Sequence, residues 1–408
     1  MGGIEERSVA DQAVTEAIAA QRPGHALSQE FYADPAIFER DMTEFVLKHW
    51  HCAGHASMVA EPGDFFTFRL GAESVIVVRG ADREIRALVN VCRHRGSRVC
   101  TEAQGRAQGL SFACPYHAWT YGLDGSLRAA RQMPEDFDKS QHGLTALHCR
   151  EIEGLIFVSF AETMLGLAHV EEVLRGTVAH YGWADAKVAH RQTYPVRANW
   201  KLAVENYMEC YHCQPAHQEY SRFHVFARPP ALNELDDAQL RRRTRAMGLE
   251  IAEIDRWGKT AEPGQEAADS LRSALREGAY SGSEDGGPVA PLMGRFTDYD
   301  GGVTFIDIGP TSTFLAYPDH GLIYRFVPLG VQETEMEVIW LVRGDAEPGR
   351  DYESARLTWL WQVTSVADKK IIELNQQGVN SAHYRPGPYA PMEFGTQRLV
   401  EWYLGELA

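Results

Sequence analysis

Two short strings in this 408-residue chain hold residue types suited to a metal centre. The first is Cys92-Arg93-His94; after nineteen residues comes Cys114-Pro115-Tyr116-His117. Each offers one thiolate and one imidazole. Thiolate is soft and charged and stabilises ferric iron, whereas imidazole binds a metal as a neutral ligand. Two of each can hold a 2Fe–2S centre with cysteine on one iron and histidine on the other. Such a centre has a reduction potential well above that of an all-cysteine cluster. The same set could instead hold a structural zinc ion, although zinc fingers usually place both cysteines together and both histidines together. The second ring nitrogen of each histidine can bond outward and couple the centre to something beyond its own domain.

A second constellation lies in Asn199-Trp200-Lys201, followed by Glu205-Asn206-Tyr207-Met208-Glu209-Cys210-Tyr211-His212-Cys213-Gln214-Pro215-Ala216-His217. On a helix, Glu209 and His212 share a face. Pro215 is expected to end that helix and turn His217 back, so that two imidazoles converge. A lone histidine here would read as structural; two beside a carboxylate suggest a mononuclear metal. A further carboxylate would complete a two-histidine, one-carboxylate iron(II) site with positions open for dioxygen. Asp368 is the candidate. Leu357, Trp361, Thr364, Asp368, Ile371 and Ile372 share one face of a long C-terminal helix, and a carboxylate on such a stripe is costly unless paired or metal-bound. The competing reading is a salt bridge to Arg or Lys. Glu373 and Asp351 fall off the stripe.

These residues need elements to position them. Residues 9–22 and 35–49 are expected to be helical, and 51–160 to form a small all-β domain from runs such as FFTFRL, SVIVVRG and LIFVSF. GLDGS at 122–126 is a hairpin turn signal. Residues 164–187 and the charged segment 232–277 are expected to be helical, with a Gly/Ser/Pro-rich loop at 279–294 between the latter and later strands. Those strands fall near 302–317, 321–328 and 335–344, and a helix follows over 350–377. Strands that do not alternate one for one with helices indicate an α+β fold.

Lys plus Arg is 40 against 56 Asp plus Glu, a net charge of −16, which argues against binding to nucleic acid or anionic lipid. The RRRTR run at 241–245 has acids on both sides and reads as a solvated helix face. No stretch reaches the roughly 18 apolar residues of a membrane-spanning helix, and the acidic N-terminus lacks signal-peptide features. A cytoplasmic location is therefore expected. There the seven cysteines are expected to be buried thiols or metal ligands, not disulfides.

CRHRGS and CPYHAWTY, followed by NWK…EN…ECYHC and His217, resemble the oxygenase (alpha) subunit of Rieske non-haem iron oxygenases. The resemblance covers roughly residues 45–225 and 320–408. It implies a small all-β Rieske domain plus a helix-grip catalytic domain on an antiparallel sheet. The corresponding division is 1–44 packing with the catalytic domain, 45–163 Rieske and 164–408 catalytic, with an insertion near 230–295 that the shared motifs do not explain. By the same matching, Cys92, His94, Cys114 and His117 would hold the 2Fe–2S cluster, and His212, His217 and Asp368 a mononuclear iron(II). Glu209 would bridge His212 to a Rieske histidine of the neighbouring subunit in a head-to-tail homotrimer.

Ring-hydroxylating members carry Asp where this chain has Glu209. Glu there, beside ECYHC, is similar to the branch acting on quaternary ammonium compounds, and NQQGVNSAHYRPGPYAPMEF at 375–394 looks most like the betaine demethylases of glycine betaine and stachydrine. The implied activity is oxidative N-demethylation of a betaine with release of formaldehyde. Electrons would come from NAD(P)H through a flavin/iron–sulfur reductase. Carnitine or choline oxidation and aromatic-ring dihydroxylation are the alternatives. A cationic substrate is held by aromatic faces; Tyr207, Tyr220, Phe223, Phe226, Trp361 and Tyr389 are the candidates.

Overall fold

The computed structural model describes the backbone of residues 14–225 and 230–408, and side chains outside 226–233. Phe226 and residues 9–13 lie outside the described residues. Helices α1 (residues 14–20), α2 (Glu30–Ala33) and α3 (Pro35–Arg40) open the chain. Asp34 caps α3 through Ala36 N at 2.7 Å, and Pro35 takes the first helical place, where no amide hydrogen is needed. The winding then loosens to a π segment at Asp41–Phe45 and tightens at Val46–Lys48.

Short strands follow: β1 (Trp50–His55), β2 (Asp64–Leu70), β3 (Glu73–Arg79), β4 (Ile85–Val89) and β5 (Gln104–Arg106). Next come β6 (Ser111–Ala113), β7 (Thr120–Gly122), β8 (Leu127–Ala129), β9 (Ala146–Ile152) and β10 (Leu155–Ser159). They form an antiparallel sheet ordered β1-β10-β9-β4-β3-β2-β5 and a three-stranded sheet β6-β7-β8. The GLDGS turn joins β7 to β8, with Gly125 at φ +82°. A side chain there would meet Leu88 as well as the backbone penalty.

After α4 (Ala168–Gly176) the second sheet begins. Its strands are β11 (Ala186–Val196), β12 (Ile254–Arg256), β13 (Ala268–Ala274), β14 (Gly302–Ile308), β15 (Ser312–Ala316), β16 (Gly321–Gly330) and β17 (Glu333–Arg343). The order is β11-β17-β16-β15-β14-β13-β12, antiparallel throughout. Both faces are covered, so β16 and the stretch 338–342 of β17 are apolar on nearly every residue. Leu322, Tyr324, Phe326, Val338 and Trp340 face one core, and Ile323, Ile339 and Leu341 face the other. The first core is closed by α5 (Trp200–Tyr207) and the long helix α9 (Ser354–Val379). Between those two lie α6 (Cys213–Ala216), α7 (Gln218–Ser221) and α8 (Pro230–Ala246); α10 (Phe394–Leu407) ends the chain.

Buried ionic ties hold the N-terminal helices to this half. Asp41 accepts from Lys201 Nζ, Tyr403 Oη and Trp200 Nε1, joining the π segment to α5 and α10. Glu266 holds His49 Nδ1 at 2.9 Å and Trp50 N at 2.7 Å. Arg325 on β16 pairs with Glu337 and donates to the β1 carbonyl of Ala53, linking the two sheets.

Several expectations need correction. Residues 232–277 are not one helical stretch: beyond α8 they supply β12 and β13. The buried positions of β13 are Ala268, Ser270, Arg272 and Ala274, so no apolar alternation marks the strand. In the 164–187 region, helix is confined mainly to α4. The strand β11 and the helix α10 had no counterpart in the sequence reading.

Candidate metal centres

The two cysteine–histidine loops share one backbone design. Cys92 N donates to Ser97 O and Gly96 N to Cys92 O; Cys114 N donates to Trp119 O and Ala118 N to Cys114 O, all at 2.8–2.9 Å. The fourth residue after each cysteine has positive φ, +76° at Gly96 and +58° at Ala118. Asn90 braces the first loop by accepting from Val99 N and Cys100 N. Cys92 and Cys114 are buried in a small core with Trp119 and Tyr121. His94 and His117 are exposed at the tips, their rings 4.6 Å apart, with His94 stacked on Trp119 at 4.7 Å. Sulfur therefore faces inward and imidazole outward. Desolvation, His94 and Arg95 all lower the His117 pKa, favouring the neutral ring that a metal needs.

Tyr121 Oη accepts from Arg93 N at 3.0 Å and lies 3.2 Å from Cys92 Sγ, so its own hydrogen is free for the sulfur. Burial and Cys92 push the phenol pKa up, keeping it protonated. Were Cys92 to hold a cluster, a hydrogen bond to its sulfur would withdraw charge and raise the cluster's potential. Tyr121→Phe is expected to leave the cluster assembled and lower its midpoint by on the order of 50 mV. Redox titration followed by electron paramagnetic resonance measures this, and an unchanged midpoint would remove the tyrosine from the tuning.

The second site forms where α5 ends. Asn199 starts that helix, its Oδ1 accepting from Lys201 N at 3.0 Å. The helix stops at Tyr207, so Glu209 and His212 meet across a turn instead of along a helix face. Glu209 Oε2 accepts from Tyr211 N and His212 N, while Oε1 reaches His212 Nδ1 at 2.6 Å. Pro215 lies inside the single turn of α6, and the break falls at His217 (φ −128°, ψ 73°). Asp368 arrives buried on α9. Its Oδ1 is 2.8 Å from His217 Nε2 and 3.4 Å from His212 Nε2. Cys210 and Cys213 form a disulfide that brackets His212, contrary to the expectation of free thiols. Their spacing brings the two Cα atoms to 4.9 Å, within bridging range.

Among the described residues, His212, His217 and Asp368 have donor atoms within 4.8 Å of one another. Burial alone would lower the His212 pKa. Asp368 and Glu209 outweigh it and hold the value up at about 9. Burial would raise Asp368, but both histidines pull it down. The pocket thus stabilises a positive charge at this point, and its donor set suits a borderline divalent metal such as iron(II). On the two loops, Cys92 and Cys114 lie buried behind a pair of exposed imidazoles whose rings are 4.6 Å apart. Thiolate at the inner end and imidazole at the outer end suit a binuclear iron–sulfur group with one ligand type on each iron.

A cleft of about 80 Å³ opens on the triad. Tyr207, Tyr220, Phe305, Tyr324 and Trp361 give it aromatic walls, with Thr313, Leu315 and Thr364 between them. Of the substrate candidates from the sequence, Tyr207, Tyr220 and Trp361 line it. Phe223 instead packs against Gly286 under the 279–294 loop, and Tyr389 pairs its amide with Gly24 O. Phe305, Thr313, Leu315 and Tyr324 went unnoticed because they stand on strands about 100 residues from the histidine motif.

Loops that pair thiolate with imidazole, carried on the same chain as a two-histidine, one-carboxylate cluster on a helix-gripped sheet, define an iron-dependent oxygenase with its own iron–sulfur domain. Comparisons with known proteins agree. Residues 49–149 match the Rieske [2Fe-2S] domain, and residues 183–407 match the ring hydroxylating alpha subunit catalytic domain. The chain belongs to this family of Rieske non-haem iron oxygenase subunits. It is similar to the glycine betaine monooxygenase oxygenase subunit of Chromohalobacter salexigens, 38% identical over 94% of this chain and 86% of that protein. The same subunit of Pseudomonas aeruginosa is 37% identical over 93% and 88%. A solved quaternary ammonium Rieske monooxygenase shares the fold, with TM-score 0.73, 23% identity and coverage of 96% and 98%. Among the described residues, no helix is long and apolar enough to cross a membrane.

Proposed function

We propose that the protein hydroxylates an N-methyl group of a quaternary ammonium compound, a betaine such as glycine betaine or proline betaine. The resulting hemiaminal collapses to the demethylated amine and formaldehyde. The observation that carries this reading is the aromatic-walled cleft on the His212–His217–Asp368 cluster. A methylated ammonium offers no N–H, and aromatic faces recognise its diffuse charge without one. The substrate named for the two bacterial relatives supports the same class.

Cys92, His94, Cys114 and His117 would hold the 2Fe–2S cluster, and His212, His217 and Asp368 the iron. The two groups, when bound, supply electron storage and activation of dioxygen. The chain's own residues supply the setting. The aromatic walls orient the methyl group and exclude water. Glu209 fixes the His212 ring by accepting at Nδ1, which leaves Nε2 for the metal. His94 and His117 are exposed and available to a second copy of the chain; we assign Glu209 as the residue they approach in a head-to-tail homotrimer. A separate reductase using NAD(P)H completes the system.

The test is formaldehyde release with a surrogate reductase over glycine betaine, proline betaine, carnitine, choline and benzoate. Release from a betaine is the expected result. Formaldehyde release confined to carnitine or choline would move the substrate within the class, oxidation of either without formaldehyde would overturn the demethylation, and ring dihydroxylation would overturn the class.

A further inference from the structure

The cleft has a polar end that its aromatic walls do not explain. Thr313 on β15 stands directly opposite Asp307 on β14, and Asp269 on β13 stands opposite Asp307 from the other side. Thr313 is only 6% exposed and lines the cleft. Its Oγ1 donates to Asp307 Oδ1 at 2.6 Å. A hydroxyl has one hydrogen, so Thr313 offers the cleft only lone pairs. Asp307 projects from the same strand face as Phe305, two residues earlier, which also lines the cleft.

The surrounding charges leave this end negative. Arg398 on α10 reaches Asp255 at 2.8 Å and Asp269 at 3.4 Å. Among the described residues, no cation stands within ion-pair distance of Asp307, and neither Arg nor Lys lines the cleft. Burial raises both carboxyl pKa values, and the charge of Asp307 raises Asp269 further, while Arg398 lowers both and the Thr313 bond favours ionised Asp307. Three carboxyl groups, Asp255, Asp269 and Asp307, thus share the single guanidinium of Arg398, and the Thr313 hydrogen bond favours seating negative charge on Asp307. An acceptor-only hydroxyl with a carboxylate behind it attracts a diffuse cation whose methyl hydrogens are weak donors.

We propose that Thr313 and Asp307 determine specificity by making the cleft prefer a quaternary ammonium group to an uncharged group of the same shape. The pair rests on the quaternary ammonium reading above and names the residues that enforce it from the sheet side.

Glycine betaine and 3,3-dimethylbutanoate test the idea, because they share shape and carboxylate and differ by nitrogen against carbon at the centre. Their affinities are measured by calorimetry on anaerobic holoenzyme, without turnover. The wild type is expected to prefer glycine betaine. Asp307→Asn and Thr313→Val are each expected to weaken betaine about ten-fold while moving 3,3-dimethylbutanoate by less than about two-fold. Thr313→Ser, which keeps the hydroxyl, should retain the preference. Should Asp307→Asn fail to fold, Thr313→Val against Thr313→Ser decides alone. An unchanged ratio in the variants, with the wild type still preferring betaine, would overturn the pair and spare the substrate class. A wild type without that preference would overturn both.

Discussion

Asp368→Ala is expected to purify with two irons per chain in place of three, to keep the Rieske-type electron paramagnetic resonance signal after reduction, and to lose turnover by roughly a thousand-fold or more. The two remaining imidazoles would bind metal as neutral ligands, and Asp368 is the carboxylate of the cluster, 4% exposed on α9. Without it, His212 and His217 would present a neutral site that holds a divalent cation weakly. The loop centre should be untouched, since its four candidate ligands come from a separate unit with its own small core. Iron analysis and the reduced-state spectrum, read on one sample, separate the two sites. A variant retaining its third iron would place the carboxylate ligand elsewhere.

Glu209→Ala is expected to keep all three irons yet lose steady-state demethylation by at least about a hundred-fold. Glu209 makes two kinds of contact. It ties the turn through Tyr211 N and His212 N, and it fixes the His212 ring through Nδ1 at 2.6 Å. Asp368, His217 and the ring's other nitrogen remain to hold metal, so the loss should fall on turnover and not on loading. Formaldehyde production and iron content, measured side by side, check this. Normal demethylation by the variant would remove Glu209 from the path between subunits.

Much of the chemistry could be read from short stretches of sequence. The cysteine–histidine loops and the ECYHC string are local, and Asp368 stood out as a carboxylate on an apolar helix stripe. The walls of the cleft were harder to see. Phe305, Thr313, Leu315 and Tyr324 reach it only through the register of β14, β15 and β16, which no local pattern reveals. The strand β13 was hidden by its small and polar buried residues, and α10 by its place beyond a Pro-rich segment. The end of α5 at Tyr207 was missed because Glu209 takes up the amides of Tyr211 and His212, a side-chain interaction that periodicity does not register. The Cys210–Cys213 disulfide ran against an expectation based on compartment, not on geometry.

The second sheet and the triad divide their labour. His212, His217 and Asp368 hang from turns and helices, whereas the opposite wall is woven from β14, β15 and β16. The far border of that weave is β13 and β12, supplied by the segment near 230–295. None of the lining residues stands on that border, so it bears on the cleft only at second hand, through the register it sets for β14 and through Asp269 behind Asp307.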